Sequence, residues 1–258
     1  MASRSGSCPT AGVRFNERCN RRDYDGAERL LRSEADTAVP RDALDAKDGL
    51  VPMAALHGRL REAEREYAQV NDAKARVRGD TVSPYIVAYF HSMLDGELRG
   101  DVSRGLAVLD SARRTMPLAS VPVAQDQSMW LTLGYARLGA TAKAREVLSQ
   151  HEARLDSLGR RQNSVFAVRV LGAIALAEGK TDSAVTYFRR GDLELDGLPS
   201  NACTVCTPLF LGLAFDRGGH ADSARAYLTK YVEMTGIGRF GADRFFLAPV
   251  LYRLGELY

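Results

Sequence analysis

The chain has 258 residues, 45% hydrophobic and 26% charged, the balance expected of a folded, water-soluble protein. Thirty-five basic against 32 acidic residues leave a net charge of +3 and a pI near 8.7, too mild to indicate nucleic acid. The most apolar run, Val165 to Ala177, contains Arg169 and is shorter than the ~20 residues of a membrane span, and Met1 to Asn20 lacks the apolar stretch of a secretory signal. No membrane span is therefore expected, and the cytoplasm is favoured although the compartment is not fixed.

Residues 1–20 are small and polar, with Pro9 and Gly12, and are expected to be irregular. From Tyr24 a helical period begins, and Ala27, Leu30, Leu31 and Ala35 on one stripe predict a helix over Asp25 to Ala38. Pro40 and Asp42 open a pair whose first helix, to about His57, is interrupted by Gly49 and Pro52. Its second helix runs from Leu60 to about Val77 through Ala63, Tyr67 and Val70, with Gly58 at the turn. Ser83-Pro84 starts the third pair, since proline is tolerated in a first helical turn. Ile86, Tyr89, Phe90 and Met93 form its stripe, Gly100-Asp101 turns the chain, and Gly105, Val108, Leu109 and Ala112 carry the second helix to about Thr115. Pro117 and Pro122 bracket a loop. The fourth pair has Leu131 and Tyr135, then Gly139, then Ala144 and Leu148.

Between Ser164 and Val232 the chain repeats itself. Leu171-Gly172, Gly179, Ala184 and Phe188 recur 40 residues later as Leu211-Gly212, Gly219, Ala224 and Leu228, and a fixed period of that size marks stacked repeats. Gly179 suits the left-handed conformation beyond a helix end. Thr181 is expected to cap the next helix, with Asp182 in its positive first turn. Gly172 and Ala184 are small enough to let their two helices approach closely, and Phe188 fills the space one turn on. The small residue of each second helix, Ala63, Gly105, Ala144, Ala184 and Ala224, recurs at spacings of 42, 39, 40 and 40. Beyond the two clear copies, Gly236 to Gly241 is expected to be a loop, and Leu247 to Tyr258 begins another first helix.

On these residues the chain resembles a tetratricopeptide repeat (TPR) array. Leu211-Gly212, Phe215, Ala224 and Leu228 match the family pattern, as do Leu171-Gly172, Ala175, Ala184 and Phe188, and Leu254-Gly255 with Tyr258 match the first half of a further repeat. The period is nearer 40 than the family's usual ~34, and prolines closing the second helices are mostly absent. The resemblance implies an all-α, right-handed α-solenoid of TPR-like pairs covering 21–258, its last repeat incomplete at Tyr258. Such an end is expected of a domain from a longer protein, of a truncated reading frame, or of a chain that oligomerises through its open end. The last copies are also similar to the repeat arrays C-terminal to kinase, cyclase or transcription-regulator domains in some bacteria.

Chemistry-bearing motifs are few. Cys203-Thr-Val-Cys206 reads as a disulfide, a pair of half-buried thiols or a redox couple. A zinc site needs a second ligand pair, and Cys8 and Cys19 are distant with poor spacing; a redox enzyme prefers a strand before the motif. Gly236-Ile-Gly-Arg-Phe-Gly241 spells G-x-G-x-x-G without the preceding strand that dinucleotide binding requires. His57, His91, His151 and His220 are scattered singly, in turn and surface roles, and Arg160-Arg161 and Arg189-Arg190 read as solvated faces. No catalytic residue, cofactor or metal is expected, so the chain is not read as an enzyme.

The resemblance also implies a concave groove lined by the outer stripe of each first helix. With Val168, Leu171 and Ala175 packed inside their pair, that stripe carries Phe166, Arg169 and Val170. The same register adds Met129, Trp130, Leu133 and Arg137, then Leu209, Phe210, Leu213 and Arg217, with Tyr252 and Arg253 following. Aromatic anchors and arginines are frequent binding hot spots, and arginine grips a carboxylate with two hydrogen bonds. The expected function is a non-catalytic protein-interaction scaffold, or the sensing and docking module of a larger bacterial regulator, binding a protein segment of acidic or C-terminal carboxylate character. The competing reading packs Met129, Trp130 and Phe210 between neighbouring repeats. The rival functions are thiol redox chemistry through Cys203 and Cys206, and nucleic-acid binding by the arginines.

Overall fold

The computed structural model describes residues 10–36, 40–78, 83–191, 203, 205–235 and 239–258, and every regular element among them is a helix. The chain divides into two compact units, residues 1–82 with 235–244, and residues 83–234 with 245–258.

The first unit holds α1 (Thr10–Asn20), α2 (Tyr24–Ala35), α3 (Pro40–Leu56) and α4 (Leu60–Arg78), each packed on the next. The expectation of an irregular 1–20 segment fails from Thr10 onward. Tertiary burial overrides the small polar composition there: Cys19 is buried, and Phe15 meets the edge of Phe240 at 5.2 Å. Asp23 caps α2 by accepting the Gly26 amide at 3.0 Å. Gly49 and Pro52 do not break α3. Val51, Met53, Ala54 and Ala55 are all buried beside Pro52, and Leu31 of α2 fills the space that a side chain at Gly49 would need. Packing on both neighbours offsets the hydrogen bond that proline removes.

The second unit begins with α5 (Pro84–Met93), capped by the Ser83 side chain and running on into a π-helical turn, Leu94–Leu98. It continues through α6 (Val102–Thr115), two 3-10 turns between Pro117 and Gln125, α7 (Ser128–Arg137) and α8 (Thr141–Arg154). It goes on with α9 (Ser157–Ala177), α10 (Thr181–Arg190), α11 (Cys206–Arg217) and α12 (Ala221–Glu233). The last helix, α13 (Arg239–Leu257), contributes its residues to Arg244 to the first unit and the remainder to the second. Each helix from α5 to α12 packs on its sequence partner, and α5 also meets α7, α7 meets α9, and α10 meets α11. Tyr85, Leu109, Leu131, Tyr135, Val147 and Ile174 form one buried core, and Ala175, Ala184, Phe188, Leu211 and Ala214 form another.

One turn recurs throughout. Gly58, Gly100, Gly139, Gly179 and Gly219 all have φ between +74° and +78°. The amide after the glycine bonds back to the carbonyl five residues earlier, as in Arg59 to Ala54, Ala140 to Tyr135, Lys180 to Ala175 and His220 to Phe215, at 2.8–2.9 Å. This is the helix stop in which a left-handed residue satisfies the orphan carbonyls of the last turn. At Gly100 the bond reaches six back, Asp101 to Asp95, because the π-helical turn inserts one residue. Five residues after each glycine comes a buried small residue: Ala63, Gly105, Ala144, Ala184 or Ala224. Opposite two of them the close approach is visible. A Cβ at Gly172 would lie 2.5 Å from the Phe188 ring, and one at Gly212 would lie 2.5 Å from Leu228. Thr181, expected as a cap, is the first helical residue instead, and Lys180 before it makes no side-chain cap bond.

Candidate functional site

The outer stripe of the first helices comes together, but not as an open surface. Met129 is 3% exposed, and Val170 and Leu209 are fully buried, so these three belong to the core and leave the predicted site. The physical reason is that α7 packs on both α5 and α9, and α11 on both α10 and α12, so side chains on two flanks of each helix are covered. Trp130 stands between Tyr89 of α5, at 5.0 Å, and Phe166 of α9, at 5.4 Å. Phe210 stacks on Phe188 at 5.3 Å. Packing between neighbouring helices is thus what Met129, Trp130 and Phe210 do.

The rest of the stripe is met by α13. Phe245 faces Tyr89 and Phe90 at 6.3 and 6.0 Å, and Phe246 meets the edge of Phe210 at 5.9 Å. The Arg137 guanidinium lies over the Phe246 ring, and its Nε donates to Glu97 at 2.9 Å. Sequence reasoning missed this because it started the last helix at Leu247. The structure starts it at Arg239, while Gly236 to Gly238 of the glycine motif lie outside the described residues. Arg253 is drawn to Asp216 at 2.9–3.0 Å and to Glu256 at 2.9 Å. Leu133, Phe166, Arg169 and Leu213 are half-buried; Arg217, in the last turn of α11, is exposed.

A polar cluster that no spacing announced lies where the loop before α7 meets α8. Asp126 accepts from the Ser128 amide at 2.8 Å and from Arg154 at 2.9 Å. His151 Nδ1 stands 3.1 Å from Asp126 Oδ2 and 3.1 Å from Ser128 Oγ, and the His151 ring is buried rather than at the surface as expected. Burial raises the Asp126 pKa, but the hydrogen bonds from His151 and Ser128 outweigh it and hold the carboxyl down at about 2. Serine, histidine and aspartate are not arranged for nucleophilic catalysis. A triad sets the acid and the nucleophile on opposite ring nitrogens, whereas here both meet Nδ1, and Nε2 is buried with no hydrogen-bond partner among the described residues. The cluster ties the 117–127 loop to α8, aided by Arg154 donating to the Val121 carbonyl.

Cys203 and Cys206 are joined in a disulfide at the start of α11, both half-buried beside the buried Val205, Thr207 and Pro208. Cys19 is a free, buried thiol, and Cys8 lies outside the described residues. Burial, then the charges of Asp243 and Asp23, push the Cys19 thiol up to about 12. Asp243 itself is buried and receives hydrogen bonds from Tyr24, Arg22 and Arg239. Among the described residues no group of three or more His, Cys, Asp or Glu side chains is placed to hold a metal ion, and no helix is long and apolar enough to cross a membrane.

Comparison with protein-family models, with curated proteins and with solved structures finds no match to this chain.

Proposed function

We propose that the chain is a TPR-like, right-handed α-solenoid acting without catalysis as a protein-interaction scaffold, or as the docking module of a larger bacterial regulatory protein. The observation that supports this reading is the recurrent turn, in which a left-handed glycine is followed five residues later by a buried small residue, at intervals near 40. A chain that repeats one helix stop and one close helix contact stacks its pairs, and the part of the first-helix stripe that α13 leaves uncovered is the face offered to an extended or helical partner. The stripe already receives an aromatic pair, Phe245 and Phe246, against Tyr89, Phe90, Phe210 and Arg137. Arg217 supplies the exposed cation for an acidic or C-terminal carboxylate.

Because Arg137 is engaged with Glu97 and Phe246, Arg217 is the residue to vary. Affinity capture from native lysate with the intact chain and with Arg217→Glu tests the reading. A partner retained by the first and lost by the second is expected. Capture that is indifferent to Arg217, or nothing above background, overturns the assignment.

The Cys203–Cys206 disulfide favours one second reading, thiol redox chemistry. In it, an external dithiol passes two electrons and two protons to the two sulfurs and becomes a disulfide itself. It predicts that each chain oxidises one equivalent of dithiol, a reaction that vanishes in Cys206→Ala.

A further inference from the structure

Leu254-Gly255 of α13 repeats the Leu171-Gly172 of α9 and the Leu211-Gly212 of α11. In α9 and α11 this glycine is a notch filled by the following helix, by Phe188 of α10 and by Leu228 of α12. Each filling side chain belongs to the same ridge, a fully buried alanine with large residues three and four positions on: Ala184 with Tyr187 and Phe188, and Ala224 with Tyr227 and Leu228.

On α13 the notch is empty. Among the described residues nothing lies within 4 Å of where a Gly255 Cβ would stand. Leu251 is 49% exposed and Tyr252 72%, and Ala248 and Gly255 are exposed with them, so positions 248, 251, 252 and 255 form one open, uncharged stripe. Tyr258 at its end leans on α12, its ring under Arg225 and its hydroxyl 3.3 Å from that of Thr229. The residues of α11 that match Leu251, Tyr252 and Gly255 are Pro208, Leu209 and Gly212, all buried. The match to Tyr258 is Phe215, whose ring stacks on Tyr227 at 5.4 Å.

The same stripe also carries a ridge. Ala248 is followed at three and four positions by Leu251 and Tyr252, the order of small and large residues found on α10 and α12. One helix face thus presents both a notch at Gly255 and the ridge that fills such a notch. That is the requirement of an isologous contact, in which residue i of one copy meets residue j of the other and j meets i.

We propose that α13 pairs antiparallel with the α13 of a second copy of this chain, Tyr252 of each copy seated over Gly255 of the other. The contact is separate from the stripe around Trp130 and Arg217 and stands whether or not that stripe binds a partner. A single helix face is small beside the roughly 800 Å² per partner of a standard interface, so the dimer is weak and concentration-dependent.

Sedimentation equilibrium of the full chain over a concentration series tests this, with Gly255→Glu as the variant. That substitution meets open space in the single chain, so its thermal melt should match the parent at low concentration. The expected result is a reversible dimer weakened at least tenfold by Gly255→Glu, with a photo-crosslinking residue at position 252 labelling the segment around Gly255 of the other copy. A chain that remains monomeric at hundreds of micromolar overturns the proposal, as does a dimer unaffected by Gly255→Glu. A monomer that instead captures a synthetic peptide of residues 219–234, in a manner dependent on Gly255, overturns it in favour of a separate helical partner.

Discussion

The guanidinium carbon of Arg137 lies 4.4 Å from the centre of the Phe246 ring, while Arg137 Nε is held by Glu97. A cation over an aromatic face and a charge-assisted hydrogen bond on one side chain fix Arg137 between the π-helical turn and α13. Phe246 is 7% exposed and also meets Phe210, so its ring joins α13 to both α7 and α11. Phe246→Ala is expected to destabilise the protein by about 3 kcal/mol, the usual cost of deleting a buried aromatic side chain. Urea unfolding checks the magnitude, and hydrogen exchange should show α13 losing protection first.

Gly172 and Gly179 stand seven residues apart, and replacing each by alanine should cost stability for different reasons. At Gly172 the new methyl group would lie 2.5 Å from the Phe188 ring, an overpacking cost of about 1–3 kcal/mol. At Gly179 it would meet nothing, and the cost, about 1 kcal/mol, comes from a φ of +75°. Trimming Phe188 to Leu would not relieve the first, since Leu228 lies equally close to a Cβ at Gly212. Trimming Phe188 to Ala should remove the added cost of Gly172→Ala and leave that of Gly179→Ala unchanged. Chemical denaturation of the three single and two double variants decides it.

Acid should weaken the 117–127 loop first. Asp126 sits at about 2 in the folded chain against ~4 when unfolded, so the unfolded state takes up its proton earlier as pH falls. The stability it contributes, about 2 kcal/mol, is present above pH ~4 and is lost as pH drops through the folded value. Asp126→Asn should flatten that part of the stability–pH curve, measured by denaturant midpoints between pH 5 and 2.

Cys19 should resist alkylation in the folded protein. With its thiol raised to about 12 and buried beside Asp243, the reactive thiolate is scarce at pH 8, and iodoacetamide should modify it only after urea unfolding. Peptide mass spectrometry reads the labelling at that position.

Much of the architecture was legible because it rests on local rules that recur. Gly58, Gly100, Gly139, Gly179 and Gly219 announce left-handed turns wherever they follow a helical period, and Ala63 to Ala224 mark the close contacts five residues later. The notch between Gly172 and Phe188 could be read from size alone. The extent of α1 and the continuity of α3 were not legible, since they depend on burial against residues far away in sequence, as with Phe15 and Phe240 or Gly49 and Leu31. The candidate site was legible in composition and not in exposure. Helical spacing placed Trp130, Arg137 and Phe210 on one stripe, but it carried no information that Phe245 and Phe246 would lie against that stripe. The Asp126–His151 contact joins a loop to a helix 25 residues on, and no period links the two.

At each of the left-handed glycines Gly58, Gly100, Gly139, Gly179 and Gly219, no atom of the described residues lies within 4 Å of the missing Cβ. What the backbone demands there is handedness and not room. A D-amino acid prefers the same positive φ that an L-residue avoids, so D-alanine introduced by chemical ligation at Gly139 or Gly179 would fit without strain and would restrict the unfolded chain. At these corners chirality, and not side-chain volume, is what sets glycine apart, with asparagine and aspartate the L-residues that tolerate the conformation best.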